Sequence, residues 1–352
     1  MRATRSLKLA VLALATVVLV AACGGKSDDK TGAAASPGTI TTVKVGVLGL
    51  VADAPFFVAD SSGYFQQQGI KVEFSTFQSG ADMIPAIASG QLDVGWGQYT
   101  AGLFNAIGRG IDVKMVASAG SVDKNTTSGL VVTTKSGIVP GDPKTLKGKT
   151  LAVNGSGIGA QAYLHDVLKQ AGIADKDVPI KVLSLPNQVT ALASGAIDGA
   201  FLVDPLIAAA TAKGDAKLYG TNYQLAGNVD HQIATVLYSP QFSGKKDLAN
   251  RFMTAYLKAS ELVNKAFGAK DQTAKAEVAK DLMAHVQTIK AATDLDGYYV
   301  TGGSATLDTK SIDMFLNALK ELGLVTAPNV EYKKSIDSSY AEAAQKALGS
   351  TG

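Results

Sequence analysis

Cysteine occurs once in the 352 residues, at Cys23. With no second thiol there is no internal disulfide and no thiolate metal site, so stability has to come from the core. Arginine is nearly as scarce. After residue 22 only Arg109 and Arg251 remain, which leaves little capacity for bidentate grip on a carboxylate or phosphate. The three histidines, His165, His231 and His285, are far apart and none has metal-ligand spacing. Hydrogen-bonded or surface roles are expected for them, and neither a metal nor a cofactor is expected. There is no phosphate-binding GxxxxGK[ST] run and no convincing nucleophile–base pair, so the residues argue against an enzyme. Net basicity is also missing. The formal charge of +3 is supplied by Arg2, Arg5 and Lys8, and the residues after 22 sum to zero. Nucleic-acid binding needs a basic face, so no nucleic-acid partner is expected.

One long apolar run is present. Leu9 to Ala22 is apolar or small apart from Thr16 and follows the basic start. Fourteen helical residues span about 21 Å, short of the roughly 30 Å hydrocarbon core. A secretory signal over residues 1–22 is therefore favoured over a permanent span. Its end, Leu19-Val20-Ala21-Ala22-Cys23-Gly24, resembles the bacterial lipobox, in which the cysteine becomes the acylated N-terminus. That resemblance implies a lipoprotein with a palmitate-type anchor on Cys23, at the extracytoplasmic face of the cell membrane. Residues 23–42 are small, polar and charged after the cysteine, the composition of a flexible tether.

From Val43 onward, short β-branched runs alternate with helical segments. Val43 to Leu48, Ile70 to Phe74, Leu92 to Trp96 and Val113 to Ala117 read as strands. Phe56 to Gln68, Ala81 to Ser89 and Thr100 to Ile107 read as helices, the first two closed by Gly69 and Gly90. The pattern restarts at Thr150, with strands at Thr150 to Val153, Ile180 to Leu183 and Ile197 to Leu202 and helices between them. Such alternation predicts an α/β fold of βαβ units with mainly parallel sheets. Ala86-Ile87-Ala88-Ser89-Gly90-Gln91-Leu92-Asp93 matches Ala191-Leu192-Ala193-Ser194-Gly195-Ala196-Ile197-Asp198 at an offset of 105, which points to two related lobes. Gly129 to Thr134 and Ile233 to Ser239 read as crossings between them. Lobe 1 is then residues 43–130 and 236–352, and lobe 2 is residues 131–235. The amphipathic segments after Asp247 are expected to pack on lobe 1.

In open parallel sheets, ligands bind at the carboxyl ends of strands. The loops at those ends are Gly49 to Phe57, Phe77 to Asp82, Gly97 to Tyr99, Asn154 to Gly159, Pro186 to Gln188 and Val203 to Pro205. The glycine spacing of Asn154 to Gly159 does not match the dinucleotide pattern GxGxxG. That turn is either a plain helix cap or a site for a small anion or polar group. Trp96 continues a buried strand and is expected in the core.

Ala54-Pro55-Phe56-Phe57-Val58-Ala59, Gly63-Tyr64-Phe65 and Gly69-Ile70-Lys71-Val72-Glu73 resemble the opening of the nitrate, sulfonate, taurine and thiamine-precursor binding proteins. Ala88 to Gly95, Leu146 to Val153, Ala193 to Ala200 and Asp204-Pro205 continue the resemblance. It implies a two-lobed periplasmic-binding-protein fold of type II with two crossover strands and a helical C-terminal segment. It also implies an ABC importer's solute-binding protein, monomeric, with a membrane permease as partner and a small molecule as ligand. Carried over by position, the ligand site comprises Asp53, Phe56, Phe57, Gln78, Gly80, Gln98, Tyr99, Asn154, Ser156, Gly157, Ile158, Asp204 and Pro205. Val203-Asp204 departs from the aromatic or Glu that this family often has before that proline, so ligand identity does not carry over. Iron-dependent pyrimidine synthases of the same fold carry a cysteine-rich motif that this sequence lacks. A ligand-binding sensor or a lipid-anchored enzyme on the same fold is the alternative.

No expected cleft loop has a basic residue unless Lys124 reaches in, and Asp53, Asp82 and Asp204 lie in or beside these loops. Both a sulfonate-type anion held by neutral donors and a neutral heteroaromatic such as a pyrimidine remain open.

Overall fold

A computed structural model describes residues 40–287, 289–296, 298 and 301–349. The signal segment, Cys23 and the tether through residue 39 lie outside the described residues. Thr41 and Thr42 correct the tether boundary. Both belong to the first strand, where they pair with Ile70 and Lys71, and β-branched side chains suit that setting.

The strands are β1 (Thr41–Val47), β2 (Ile70–Thr76), β3 (Val94–Gln98), β4 (Lys114–Val122), β5 (Gly129–Thr133), β6 (Leu151–Val153), β7 (Ile180–Val182), β8 (Gly199–Leu202), β9 (Ala216–Thr221) and β10 (His231–Tyr238). The early helices are α1 (Ala54–Ser61), α2 (Tyr64–Gln67), α3 (Gly80–Ser89), α4 (Ala101–Gly108), α5 (Gly159–Gln170), α6 (Leu185–Ser194), α7 (Leu206–Thr211) and α8 (Asn222–Leu225). After β10 come α9 (Pro240–Ser243), α10 (Lys246–Phe267), α11 (Gln272–Leu282), α12 (Thr309–Glu321) and α13 (Ser339–Leu348).

Two five-stranded sheets result, ordered β2-β1-β3-β10-β4 and β7-β6-β8-β5-β9. Within each, four strands share one direction and the fourth in order runs against them. The mainly parallel expectation therefore holds, and the antiparallel members are the strands read as crossings. They are not themselves the connections. The chain passes between sheets at residues 123–128 and returns at 226–230, so β5 and β10 each lie inside a sheet. At β5 a Cβ on Gly129 would stand 2.3 Å from the Gly220 carbonyl oxygen, so only glycine fits there.

The internal repeat has a structural meaning. α3 and α6 occupy 80–89 and 185–194, and each ends on a glycine with positive φ, Gly90 at 75° and Gly195 at 73°. The aspartates that follow make matching bonds. Asp93 accepts from the Lys44 N–H (3.0 Å) and Asp198 from the Thr150 N–H (2.8 Å). Their backbone carbonyls accept from Ser239 and Thr133, both at 2.9 Å. Each aspartate fixes the start of a central strand against the strand beside it, which assigns the pair to architecture.

Two helical expectations change. Phe56 to Gln68 is two helices, because the chain turns at Gly63 with φ 70°. Of the C-terminal helices, α10 packs on α1, α2, α11 and α13 beside the first sheet, but α12 also meets α5 of the second. The reason is aromatic packing: the Phe315 ring lies 5.8 Å from Tyr99 and 5.4 Å from Tyr163. At the other end of α12, Glu321 bonds His165 (3.0 Å) and Lys169 (2.5 Å).

Asp198→Ala is expected to lower unfolding stability by about 1–3 kcal/mol, the usual cost of leaving a buried N–H without its charged acceptor. Urea denaturation checks it. Asp198→Asn should recover part of the loss.

Candidate functional site

The carboxyl ends of β1, β3, β6 and β8 converge on one cavity of about 180 Å³. From the first half come Leu48, Leu50, Gly80, Trp96, Gln98 and Thr100. Asn154, Ile158, Leu185, Phe201 and Asp204 face them from the second, with Thr126, Thr127 and Ser128 from the connection between sheets. Tyr298 and Thr301 also line it. Its volume is slightly above that of a cavity known to hold one benzene ring, roughly 150 Å³. A mostly apolar wall with few polar groups is the usual form of a small-molecule site.

Three contacts between the halves border this cavity. Gln78 and Asn154 exchange bonds: Gln78 Nε2 donates to the Asn154 carbonyl (3.2 Å), and Asn154 Nδ2 donates to the Gln78 carbonyl (3.1 Å). The Ala101 N–H, at the start of α4, donates to the Gly157 carbonyl at 2.8 Å. The Gly159 N–H, at the start of α5, donates to Gln98 Oε1 at 3.1 Å. These groups would otherwise be orphan donors of the first helical turns. Close approach depends on glycine, because a Cβ on Gly155 would stand 2.6 Å from Ser79 Oγ.

Asp53 is fully buried under the floor of the cavity. Its carboxylate accepts from the Leu48 N–H (3.0 Å), the Leu50 N–H (2.7 Å) and Trp96 Nε1 (2.5 Å). Burial pushes its pKa up to about 6, outweighing the Leu50, Leu48 and Trp96 bonds that favour the ionised form. Asp53 thus holds the β1–α1 loop and orients the Trp96 indole, whose residue lines the cavity. Trp96 is in the core, only 6% exposed, and also forms the wall.

Asp204 is the one charged side chain lining the cavity among the described residues. Burial raises its pKa, opposed by bonds from the Thr127 hydroxyl and the Ala208 N–H. The Tyr298 phenol is pushed up to about 12, by burial first and then by the Asp204 charge. Asn222 is 7% exposed. Its Nδ2 donates to Ser128 Oγ at 2.9 Å, while its Oδ1 has no protein partner.

Of the residues expected at the site, Gly80, Gln98, Asn154, Ile158 and Asp204 line the cavity. Gln78, Gly157 and Asn154 make the contacts between halves. Others lie elsewhere. Phe56 packs on Phe252 and Tyr256, and Phe57 stacks on His285 at 4.5 Å, both inside the first core because α1 turns those faces inward. Asp53 acts from below the wall. Tyr99 is buried against Phe315, its hydroxyl unpartnered. Ser156 is exposed, and Pro205, joined to Asp204 by a cis peptide bond, starts α7 outside the lining. Lys124 is exposed and does not reach the cavity.

Sequence reasoning missed Thr126 to Ser128, Asn222, Phe201 and Tyr298. The polar run Thr126-Thr127-Ser128 before a buried strand is a signal that could have drawn attention. Asn222 gives none, since its local role is only the second residue of a Thr221 capping box. The histidines are accounted for. His165 sits between Asp175 and Glu321. His231 Nε2 meets the Tyr163 hydroxyl at 2.6 Å, and His285 stacks on Phe57. Among the described residues no group of side chains could hold a metal ion.

Asp53 has its folded pKa raised above 3.8, so its contribution to stability is complete at low pH and is lost as pH rises to about 6. Trp96 is the chain's only tryptophan. Its fluorescence is therefore expected to titrate with a midpoint near 6, and Asp53→Asn should abolish that transition. A flat profile in the unaltered protein would contradict this.

An ABC-transporter periplasmic binding protein of Brachyspira hyodysenteriae is 26% identical over 74% of this chain and 75% of its own length. A Bacillus subtilis protein named as an aliphatic-sulfonates-binding protein is 29% identical over 66% of this chain and 64% of its own. The alkanesulfonate-binding protein of Xanthomonas axonopodis pv. citri, solved with MOPS bound, superposes with a TM-score of 0.67. It is 20% identical and the match covers 85% of this chain and 99% of that one, which shows the two-lobed periplasmic-binding-protein fold. The NMT1/THI5-like family model matches residues 52–266, the stretch that builds every strand but β1 and nearly all of the cavity, and the chain belongs to that family.

Proposed function

We propose that this chain is the extracytoplasmic solute-binding component of an ABC importer, capturing a small organic molecule between two lobes. The observation that carries the reading is the cavity between two sheets of equivalent strand order. Family membership and the periplasmic binding relatives support it. The expected lobes, 43–130 with 236–352 and 131–235, are adjusted at their edges: lobe 1 starts with β1 at Thr41 and takes all of β10, lobe 2 takes all of β5, and α12 leans across. Gly80, Gln98, Asn154, Ile158 and Asp204 are the candidate ligand contacts. The protein acts by binding alone, as a monomer, with the membrane permease as its partner.

The mechanism is a shift of population. A ligand that touches both halves only when they meet stabilises the closed arrangement, and the permease reads that surface. Hydrogen bonds between halves, such as Gly159 N–H to Gln98, contribute to the same equilibrium. The anchor reading adds location: Cys23 would be acylated after removal of residues 1–22, leaving a tether that lets the lobes work near the membrane. One acyl chain binds a membrane only marginally, so multiple acylation is part of this proposal.

Two experiments test these readings. Gly155→Ala puts a methyl 2.6 Å from Ser79 Oγ of the other half, where the two halves meet at the edge of the cavity. Ligand affinity is expected to fall roughly tenfold, about 1.4 kcal/mol, and small-angle scattering should show less compaction on ligand addition. Unchanged affinity and compaction would remove closure from the mechanism. Metabolic labelling with radioactive palmitate should mark the protein in its host, and Cys23→Ser should lose the label and the membrane association together.

A further inference from the structure

Away from the cavity, His165 on α5 is only 6% exposed, yet both its ring nitrogens face carboxylates. Nδ1 lies 3.0 and 3.1 Å from the two oxygens of Asp175, on the turn that follows α5 in the second half. Nε2 lies 3.0 Å from Glu321 Oε2, at the end of α12. A carboxylate only accepts, so each of these contacts needs a proton on the ring, and the doubly protonated imidazolium is the form that supplies both. Without its second proton, the Nε2 lone pair would face a negative oxygen.

The two contacts differ in what they join. Asp175 belongs to the same half as His165. Glu321 stands beside a segment that the first half holds through Asn105 of α4. Asn105 Nδ2 donates to the Leu324 carbonyl at 2.9 Å, and its Oδ1 accepts from the Thr326 N–H (2.8 Å) and the Ala327 N–H (3.0 Å). At its other end α12 is tied to β10, where the Gln232 N–H donates to Ser311 Oγ at 2.9 Å. The proton on Nε2 therefore sits on a bond between halves, and the one on Nδ1 fixes the ring.

Resting on the closure mechanism above, we infer that His165 is a positioning residue and a proton-operated clasp: protonated, it fastens α5 to α12 and favours the arrangement in which the halves meet. Closure, and with it solute retention, is then strengthened as the surroundings acidify. The charged groups around the ring are Asp166 and Lys169 on its own helix, Asp175 and Glu321. Lys144, Lys176 and Lys320 on adjoining elements are exposed, and Asp177 and Asp313 pair with Lys147 and Tyr332. Burial lowers the His165 pKa, but the Glu321 and Asp175 bonds and the charges of Asp175 and Asp166 more than reverse this, and it ends above 6.5. Burial takes His231 and His285 the other way. A raised histidine pKa means that the contribution is complete below 6.5 and is lost as pH rises through the folded value. Lys169 Nζ bonds the same Glu321 oxygen at 2.5 Å and keeps its charge over this range, so the clasp loosens without parting.

The test is amide hydrogen exchange on the full chain without added solute, from about pH 6 to about pH 8.5, corrected for the intrinsic pH dependence. It follows the Ala101 and Gly159 N–H groups, whose acceptors lie in the opposite half. Their protection is expected to fall roughly tenfold across this range, on the scale of one charge-assisted hydrogen bond. His165→Gln should give a flat profile. Glu321→Gln, which keeps the ring and removes the charge facing it, should also flatten the profile and lower the His165 midpoint in a proton NMR titration; it serves as well if His165→Gln does not fold. Protection independent of pH in the unaltered chain, the same fall in His165→Gln, or a His165 midpoint at or below 6.5 overturns the clasp. No solute enters these measurements, so their failure leaves solute binding standing; failure of that reading would show as no ligand retained in native mass spectrometry, with the pH profile unchanged.

Discussion

The cavity depends on two helix starts that face each other. Ala101 N–H reaches the Gly157 carbonyl, and Gly159 N–H reaches Gln98 Oε1. Each donor is an orphan of its own helix and finds its acceptor in the other half of the molecule. Backbone groups of this kind cannot be left dry and unpaired. Pairing therefore fixes how closely α4 and α5 approach, and their approach sets the depth and width of the space between the sheets.

The same arrangement has an electrostatic consequence. A helix N-terminus that donates to the opposite lobe has less to offer a bound anion. Among the described residues no basic side chain lines the cavity, so its polar character comes from neutral hydroxyl and amide groups such as those of Thr127, Ser128 and Asn154, together with the Asp204 carboxylate. Asp53 sits just beneath and carries no such role. Its oxygens are spent on Leu48, Leu50 and Trp96, so it stiffens the floor and leaves the chemistry to others. Carboxylates in one neighbourhood thus divide into a positioning group and a contact group according to what already surrounds each.

Repetition of one unit explains why the two halves meet symmetrically. The helix, glycine and aspartate at 80–93 recur at 185–198, and in both places the aspartate fastens a central strand to its neighbour. Equivalent sheets present equivalent strand ends, so the cavity lies between like surfaces. Helix α12 breaks the symmetry. By seating Phe315 between Tyr99 of the first half and Tyr163 of the second it bridges the two halves, and relative motion of the lobes has to accommodate that contact.

Periodicity, glycine caps and the offset repeat determined the α/β class, the doubled sheet and the loops around the cavity. These are local properties, written in the alternation of side chains along each segment. Scarcity of arginine likewise limited the electrostatics before any fold was known. Other features depended on distant partners. Phe56 and Phe57 read as pocket aromatics, yet α1 buries them against α10 and His285, because helix rotation is set by what packs on it. Asn222 lies far in sequence from Ser128 and from every loop considered, and only the pairing of β5 with β9 brings it to the wall. The sequence by itself determined the architecture and the shortage of positive charge. Tertiary structure decided which polar groups line the cavity and which are spent on partners elsewhere, since satisfaction of a hydrogen-bonding group is a property of its neighbours in space.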